Sequence, residues 1–368
     1  MNLLFLVNGP EKSYPADRAR EFARRLPATW TIQTGYRPAA HRWKGIARFV
    51  RHAMRFRPRV LYVMDTAYTG VLAGCIVKRR LGCRLITDTG DVAYELARSS
   101  GNYSRAQLAL IDWNERLAMK KSDAIVVRGS FHKPLLEKQG VKNVAVIPDG
   151  MDVEAVRSID ASGLRAELGF ASDMLVLGMV GTMNWSERHR MCYGWDVIEA
   201  LAHLADERRV KGLLVGDGHG RPRLEKRARE LGVQDRVVFT GMVPSGNVPR
   251  YATAMDVCVS TQSNDVVGMV RTTTKLPLYL ACGRYVIATE VGEAKRVLPG
   301  VGALLPYKGV RDPEHPVRLA SHVRQLLANP ALLNRRDAVQ QVAAENFEYN
   351  DLAARVRALC EELAATKP

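Results

Sequence analysis

The sequence predicts an α/β chain of two tandem domains, each built on a doubly wound parallel sheet. Its 368 residues exceed one small core, and a scale of roughly 100 to 200 residues per domain suggests two. Short apolar runs alternate with longer segments of helical spacing, as in repeated βαβ units. The alternation stops at the turn-like Asp149-Gly150-Met151-Asp152 and then starts again. We therefore expect two Rossmann-like domains, with ligands at the carboxyl ends of the strands, in a central cleft.

Ten apolar runs are predicted as strands, five in each half. In the first half they are Asn2–Asn8, Val60–Met64, Arg84–Thr87, Ala124–Val127 and Val144–Ile147. In the second half they are Leu175–Val180, Gly212–Val215, Arg236–Thr240, Val257–Ser260 and Tyr285–Ala288. The predicted domains are residues 1–155 and 156–345, and a helix over 346–368 docks back on the first. Leu352, Val356, Leu359 and Leu363 share one face of that helix, and Asn350 or Asp351 is its expected N-cap.

Composition excludes several classes of protein. Hydrophobic residues make up 47% and charged residues 25%, which is inconsistent with wholesale disorder or a fibrous architecture. No apolar run approaches the roughly 20 residues that cross a bilayer, and the opening Met1–Val7 run lacks a basic region typical of secretion signals. The six cysteines show no C-x-x-C pair, so we expect no disulfides or zinc and a cytoplasmic location.

The charge favours an anionic partner and is concentrated in the first half. Lys and Arg number 54 against 38 Asp and Glu, a net charge of +16, and residues 1–155 alone carry +12. The segment His41–Arg59 has seven Lys or Arg and no acid, with apolar residues near one helical face. This pattern predicts peripheral binding to an anionic membrane, at the inner face. The alternative is a helix whose apolar face packs on its own sheet; a nucleic-acid partner is not expected, because RNA-binding motifs are absent.

Glycines follow two predicted strands of the second half. Gly181 follows Leu175–Val180, and Gly216-Asp217-Gly218 follows Gly212–Val215. Glycines there let backbone N–H groups approach a phosphate, although glycine also ends strands for purely structural reasons. The spacing lacks the G-x-G-x-x-G fingerprint, so a nicotinamide enzyme fits poorly.

The strongest local signal is the segment Arg271–Pro277, which precedes an apolar stretch. Arg271 and Lys275 offer cations to phosphate oxygens, and three successive threonines offer hydroxyl donors: Thr272, Thr273 and Thr274. The segment therefore predicts a diphosphate site. The alternative is an ordinary capped helix start, since Thr is a common N-cap.

Five motifs of the sequence resemble those of family 4 retaining glycosyltransferases, which have the GT-B fold. They are Val146–Asp152, Leu214–Gly218, Val238–Gly241, Asp256–Ser260 and Lys275–Gly283, in that family's order and spacing. The resemblance covers about residues 144 to 300 well. It implies transfer of a sugar from a nucleotide diphosphate sugar, with retention at the anomeric carbon and without a metal or other cofactor. The acceptor class it suggests is a lipid-linked or cell-surface glycan.

The resemblance also assigns candidate site residues. Donor-binding positions would be Gly181, Thr182, Arg188, Arg190, Gly216, Asp217, Gly241, Met242, Val243, Arg271, Thr272, Thr273, Thr274, Lys275 and Leu276. In the first domain, Gly9 and Pro10 form a loop near the acceptor, and Asp88 or Asp91 orients its hydroxyl or takes its proton. His132, at the start of a helix, is the third catalytic candidate. An ordinary turn at the aspartates and a packing role for the histidine are the alternatives.

The sequence departs from the family pattern at several positions. Two family glutamates correspond to Val270 and Leu278, a family arginine to Thr182, and a family lysine to Tyr193. Arg188 and Arg190 are the candidates to substitute for the lost cations. The competing hypothesis is a non-catalytic nucleotide-sugar-binding or scaffold protein. An epimerase of the same fold fits less well, because no further carboxylate–histidine set stands out.

Overall fold

The computed structural model describes residues 1–37 and 42–366 and divides into two compact units. The first comprises Met1–Gly150, Val270–Thr272 and the described chain from Tyr349 onward, and the second comprises Met151–Met269 and Thr273–Glu348. The short segment Val270–Thr272 thus groups with the first unit, although the predicted domain 156–345 contains it.

The first unit alternates strands and helices from its first residues. In chain order these are β1 (Asn2–Val7), α1 (Tyr14–Ala23), β2 (Thr31–Tyr36), α2 (Arg42–Phe56), β3 (Val60–Met64), α3 (Tyr68–Leu81), β4 (Arg84–Thr89), α4 (Ala93–Ser100), α5 (Arg105–Lys121), β5 (Ala124–Val127), α6 (His132–Lys138) and β6 (Val144–Val146). The strands form one parallel sheet in the order β2-β1-β3-β4-β5-β6. β1 and β3 are buried on both faces, which explains their continuous apolar runs.

The second unit repeats this arrangement. Its elements are α7 (Val153–Arg157), α8 (Ser162–Glu167), β7 (Leu175–Val180), α9 (Trp195–His203), β8 (Val210–Val215), α10 (Arg221–Glu230), β9 (Val237–Gly241), α11 (Val248–Thr253), β10 (Val257–Ser260), α12 (Val266–Val270), α13 (Lys275–Ala281), β11 (Tyr285–Thr289), α14 (Ala294–Val297), β12 (Ala303–Leu305), α15 (His315–Ala328) and α16 (Arg336–Phe347). The sheet order is β12-β11-β10-β7-β8-β9, again parallel. The predicted pair of doubly wound parallel sheets is confirmed.

The last helix, α17 (Tyr349–Ala365), belongs to the first unit. Leu352, Val356, Leu359 and Leu363 are all buried, and they pack in one cluster with residues of β1, β3 and α1. The predicted N-cap is wrong, because the helix begins at Tyr349, before either candidate. Tyr349 is buried against the ring of Phe22, with centroids 6.0 Å apart, so Asn350 and Asp351 lie inside the first turn.

The structure has strands at all ten predicted positions and two more. β2 is an edge strand whose residues are mostly part-exposed, and β12 has only three residues. Both lack the long buried run that marks the other strands in the sequence. Among the described helices, none is long and apolar enough to span a bilayer.

Candidate active site

Three loops of the second unit meet at the carboxyl edge of β7, β8 and β9. The N–H of Gly181 donates to the carbonyl of Val215 at 2.9 Å, and the N–H of Gly216 donates to the carbonyl of Gly241 at 3.1 Å. Gly216 has φ 129°, and a Cβ there would overlap the carbonyl oxygen of Gly181. Only glycine fits this crossing. The structure therefore brings together the three glycines that the sequence assigned to the donor.

Lys275 is the cation at this edge. It is the first residue of α13 and is only 8% exposed. Gly181 makes room for its stem, since a Cβ on Gly181 would lie 2.9 Å from Cε of Lys275. Its Nζ lies 3.4 Å from the centroid of the Tyr193 ring, a close cation–π contact. An ammonium fixed in this way can bind an anionic oxygen with little loss of side-chain freedom.

Tyr193 is a residue whose role sequence reasoning missed. In the sequence, Tyr193 is notable only because it stands where the family has a lysine. In the structure its ring contacts the cation of Lys275. Arg221 was missed as well. Its Nη1 lies 3.5 Å from Oδ2 of Asp217, and a Cβ on Gly241 would lie 3.1 Å from that nitrogen. The signal for Arg221 in the sequence was a cation directly after Gly218 and Gly220, at the start of α10.

The remaining predicted donor positions in these loops differ in exposure. Asp217 accepts a hydrogen bond from the N–H of Gly218 at 2.8 Å, so its carboxylate braces its own loop. Met242 is 75% exposed, and Thr182 is also exposed. Val243 is part-buried against the core of the unit.

The threonine segment is divided by the structure. Thr274 precedes α13, yet its side chain makes no capping hydrogen bond. The alternative prediction, an ordinary helix start capped by a threonine, is therefore wrong for Thr274. Thr272 belongs to the first unit and is 4% exposed, and among the described residues its hydroxyl has no hydrogen-bond partner. Leu276 is buried in the core and can contribute only its backbone to a ligand.

Arg271 lies in the first unit, whereas Lys275 lies in the second. Nε of Arg271 is 3.1 Å from Oδ1 of Asp91, and both side chains are about one third exposed. A predicted donor cation is therefore paired with a predicted catalytic carboxylate. The sequence contains no signal for this pair, because 180 positions separate its members.

Arg190 lies between β7 and α9 in the second unit. It lines a cavity of about 600 Å³ together with Trp185, Trp195 and residues of α9 and α10, and Lys275 is not among the lining residues. Its backbone has φ 52°, an uncommon conformation for a residue with a side chain. Arg188 is exposed. That Arg188 or Arg190 substitutes for a lost family cation stays a prediction.

The two positions of the missing glutamates are part of the apolar interior. Val270 is fully buried, and Leu278 is 5% exposed in the core of the second unit. A carboxylate at either position would be removed from water, so this packing does not favour one there.

Asp88 is buried in a charged network of the first unit, which contradicts direct contact with an acceptor. Its Oδ2 accepts hydrogen bonds from Nε of Arg18 and the hydroxyl of Tyr62, both at 3.0 Å, and its Oδ1 accepts one from Nε of Arg128 at 2.9 Å. Burial opposes ionisation, but the two arginines prevail and hold the pKa of Asp88 below its usual value. Asp88 has no exposed surface. Because its carboxylate accepts hydrogen bonds from Arg18 and Arg128, it orients these two side chains.

His132 begins α6, as the sequence predicted, but it is only 1% exposed. Burial lowers the pKa of His132 to about 4, so the imidazole is neutral near pH 7. Among the described residues, its Nδ1 has no hydrogen-bond partner. It can exchange a hydrogen bond with a ligand in this form but supplies no cation. Its catalytic role stays a prediction.

The loop after β1 is fixed by backbone contacts. The N–H of Arg37 donates to the carbonyl of Gly9 at 3.0 Å, and the hydroxyl of Ser13 donates to the carbonyl of Pro10 at 2.6 Å. The amide of the preceding Asn8 donates to the carbonyl of Asp65 at 2.7 Å. Asp65, at the carboxyl end of β3, has φ 78° and was missed by sequence reasoning.

In the described part of the chain, no cluster of three or more His, Cys, Asp or Glu is placed to hold a metal ion. Whether the reaction needs a metal stays a prediction.

Residues 175–329 match the family model of glycosyl transferases group 1. Two curated relatives are the 2-deoxystreptamine glucosyltransferase of Streptomyces kanamyceticus, 26% identical over 79% of this chain, and the D-inositol 3-phosphate glycosyltransferase of Streptomyces bingchenggensis, 30% identical over 57%. The alignments span 73% and 46% of those proteins. Assignment to family 4 in particular stays a prediction.

Two solved structures share the fold along nearly the whole chain. Anabaena Alr3699/HepE in complex with UDP-glucose has a TM-score of 0.76 at 17% identity, over 98% of this chain and 100% of that one. Sucrose-phosphate synthase from Thermosynechococcus elongatus has a TM-score of 0.77 at 18% identity, over 99% and 100%. The family match over residues 175–329, the curated relatives and the fold together support a glycosyltransferase of the group 1 type with the GT-B fold.

Proposed function

We propose that the protein transfers a sugar from a nucleotide diphosphate sugar to a lipid-linked or cell-surface glycan acceptor, with retention at the anomeric carbon and without a metal. The observation that carries the proposal is Lys275, a nearly buried ammonium at the carboxyl edge of the second sheet. It adjoins Gly181, whose missing side chain leaves room beside the ammonium at this edge.

In the proposed reaction an acceptor hydroxyl attacks the anomeric carbon from the face that the diphosphate leaves, while the bond from that carbon to the diphosphate oxygen breaks, so the configuration is retained. Negative charge develops on the leaving diphosphate, and the fixed cation of Lys275 stabilises it. The hydroxyl proton passes to Asp91 or to the departing phosphate. Asp91 is about one third exposed and lies within 3.1 Å of Arg271, so a proton acceptor and a second cation are adjacent in the first unit.

Uridine is the first base to test, because the neighbouring fold is known from complexes with UDP and UDP-glucose. The acceptor class rests on more distant support. Curated relatives include an alpha-monoglucosyldiacylglycerol synthase of Streptococcus pneumoniae, 23% identical over 83% of this chain, as well as enzymes named for water-soluble cyclitols.

A non-catalytic nucleotide-sugar-binding protein is the second candidate, and the buried apolar residues Val270 and Leu278 favour it. Calorimetric titration with UDP, GDP, ADP, dTDP and CMP, with inorganic diphosphate as a control, tests the donor site. Selective binding of one nucleotide supports the proposal, whereas binding of none contradicts it. Slow hydrolysis of the matching sugar nucleotide without acceptor then separates an enzyme from a binding protein, and the anomeric configuration of the released sugar reports retention.

A further inference from the structure

The helical layer formed by α2, α3 and α5 covers one face of the first sheet. α2 packs against α3, and α3 packs against α5. The predicted membrane face of α2 is the side that faces the core: Phe49 is 1% exposed and Ala53 is fully buried, in one cluster with strand residues. His41 lies outside the described residues. Phe49 and Ala53 therefore cannot insert into a bilayer while the unit stays folded.

The outer surface of α2 is a stripe of cations. Lys44, Arg48, Arg51 and Arg55 are all exposed, and their spacing of four, three and four residues aligns them along one side of the helix. α3 continues the charge with exposed Arg79 and Arg80. Neither helix contains an acidic residue. The layer presents a positive field to whatever lies opposite it.

Exposed apolar side chains lie on the other two helices of the same layer. Ile76 on α3 is 38% exposed, and Leu110 and Trp113 on α5 are 43% and 50% exposed. Leu72 and Leu117 are part-exposed and extend the spacing by one turn on each helix. We call these five residues the apolar strip. Tyr103, just before α5, adds a further aromatic ring at 47% exposure.

The strip and the cations meet at the C-terminal ends of α3 and α5. Nζ of Lys78 donates to the carbonyl of Lys121 at 2.9 Å, which joins the two ends. Asp112 on α5 pairs with Arg116 at 2.9 Å, and Asp123, just after α5, pairs with Lys78 at 2.8 Å. Large apolar and aromatic groups flanked by exposed arginines such as Arg79 and Arg80 match the polar–apolar boundary of an anionic bilayer. An ordinary soluble protein partner would not require this one-sided charge.

We propose that the apolar strip inserts into the surface of an anionic membrane, with the cations of α2 and α3 held against the lipid headgroups. This assigns the apolar contact to α3 and α5 and leaves to α2 an electrostatic role alone. The inference adds to the proposed function only that the protein would meet its acceptor at the membrane surface. Membrane binding itself requires neither donor nor acceptor.

Co-sedimentation of the full chain with vesicles tests it. One set is made of phosphatidylcholine, and the other is an equal mixture of phosphatidylcholine and phosphatidylglycerol. We expect binding to the second set only, weakening as salt rises. Trp113→Ser should weaken the partition coefficient by about tenfold. Arg79→Glu with Arg80→Glu should weaken it by about 30-fold or more.

Matched control variants lie on the second unit. Val317→Ser removes a side chain 42% exposed on α15, and Lys226→Glu with Arg229→Glu reverses two exposed charges on α10. Both should bind vesicles as the wild type does, and circular dichroism checks that every variant is folded. UDP titration of the same variants separates the two proposals, because vesicle binding without UDP binding leaves this inference standing.

Three outcomes would overturn it. The first is that the wild type sediments with neither set of vesicles. The second is that the strip variants bind vesicles as well as the controls do. The third is that the strip variants differ from the wild type only in their sedimentation coefficient in the absence of lipid. The last result would show that a second copy of the chain, and not a membrane, covers the strip.

Discussion

Replacing Lys275 with methionine tests the proposed phosphate contact most directly, because it removes the charge and keeps an unbranched side chain. Lys275 is 8% exposed, and its Nζ lies 3.4 Å from the Tyr193 ring centroid. Water screens such a charge little, and a hydrogen bond from an ammonium to a phosphate oxygen contributes about 1.5 to 3 kcal/mol. We expect the dissociation constant of UDP to rise roughly 10- to 150-fold in calorimetric titration.

The stability of the variant should stay close to that of the wild type. The lost cation–π contact costs about 2 kcal/mol at this nearly buried site, and the relief from desolvating the ammonium offsets it. Thermal unfolding followed by circular dichroism checks this. Lys211→Met is the matched control, since Lys211 lies near the start of β8, at the opposite end of the strand from Gly216. A folded Lys275→Met variant that binds UDP as tightly as the wild type would refute the assignment of this lysine to the donor site.

Three further predictions concern stability. Gly216→Ala should lower the free energy of unfolding by at least about 2 kcal/mol in denaturant titration, because φ is 129° and the new Cβ meets a backbone carbonyl; a loss below the error of the titration would contradict the close approach. Asp88→Ala should cost about 3 to 5 kcal/mol, because it removes the closer of the two carboxylates that pair with buried Arg18 and leaves only Asp149, whereas the part-exposed Asp91→Ala should cost less than about 1 kcal/mol, and equal losses would count against the difference in role. Burial raises the pKa of Asp196 to about 7, so the native carboxyl stays protonated where the unfolded one ionises, and the contribution of this group to stability falls as pH rises from about 4 to about 7; the stability of Asp196→Asn relative to the wild type should therefore increase by up to roughly 4 kcal/mol between acidic and neutral pH, as measured by thermal unfolding at both.

Much of the fold could be predicted from the sequence, because burial of a parallel strand leaves a local trace. Val60–Met64, Ala124–Val127, Leu175–Val180 and Val257–Ser260 are strands with the bounds that their apolar runs indicated. β2 was missed because an edge strand mixes exposed and buried residues, and β12 was missed because three residues carry too little pattern. The residues that bury one face of α17 were likewise predicted from their helical spacing.

Only those residues of the candidate site that directly follow a predicted strand could be predicted from the sequence. Gly181 and Gly216 each follow a strand, and parallel strands place such ends on one edge, so their proximity could be expected. The sequence does not tell which side chain meets Lys275. Tyr193 became its partner because the two residues, 82 positions apart, come together only when the second sheet is assembled.

By itself, then, the sequence determined the two parallel sheets, the glycine-marked strand ends and the basic character of the first half, since each is encoded in neighbouring residues. The tertiary structure alone decided that Asp88 is enclosed by Arg18 and Arg128, that Arg271 pairs with Asp91, and that the apolar face of α2 is turned inward. These outcomes depend on which distant segments share a volume. Strand order and packing set that, and no local pattern of residues contains it.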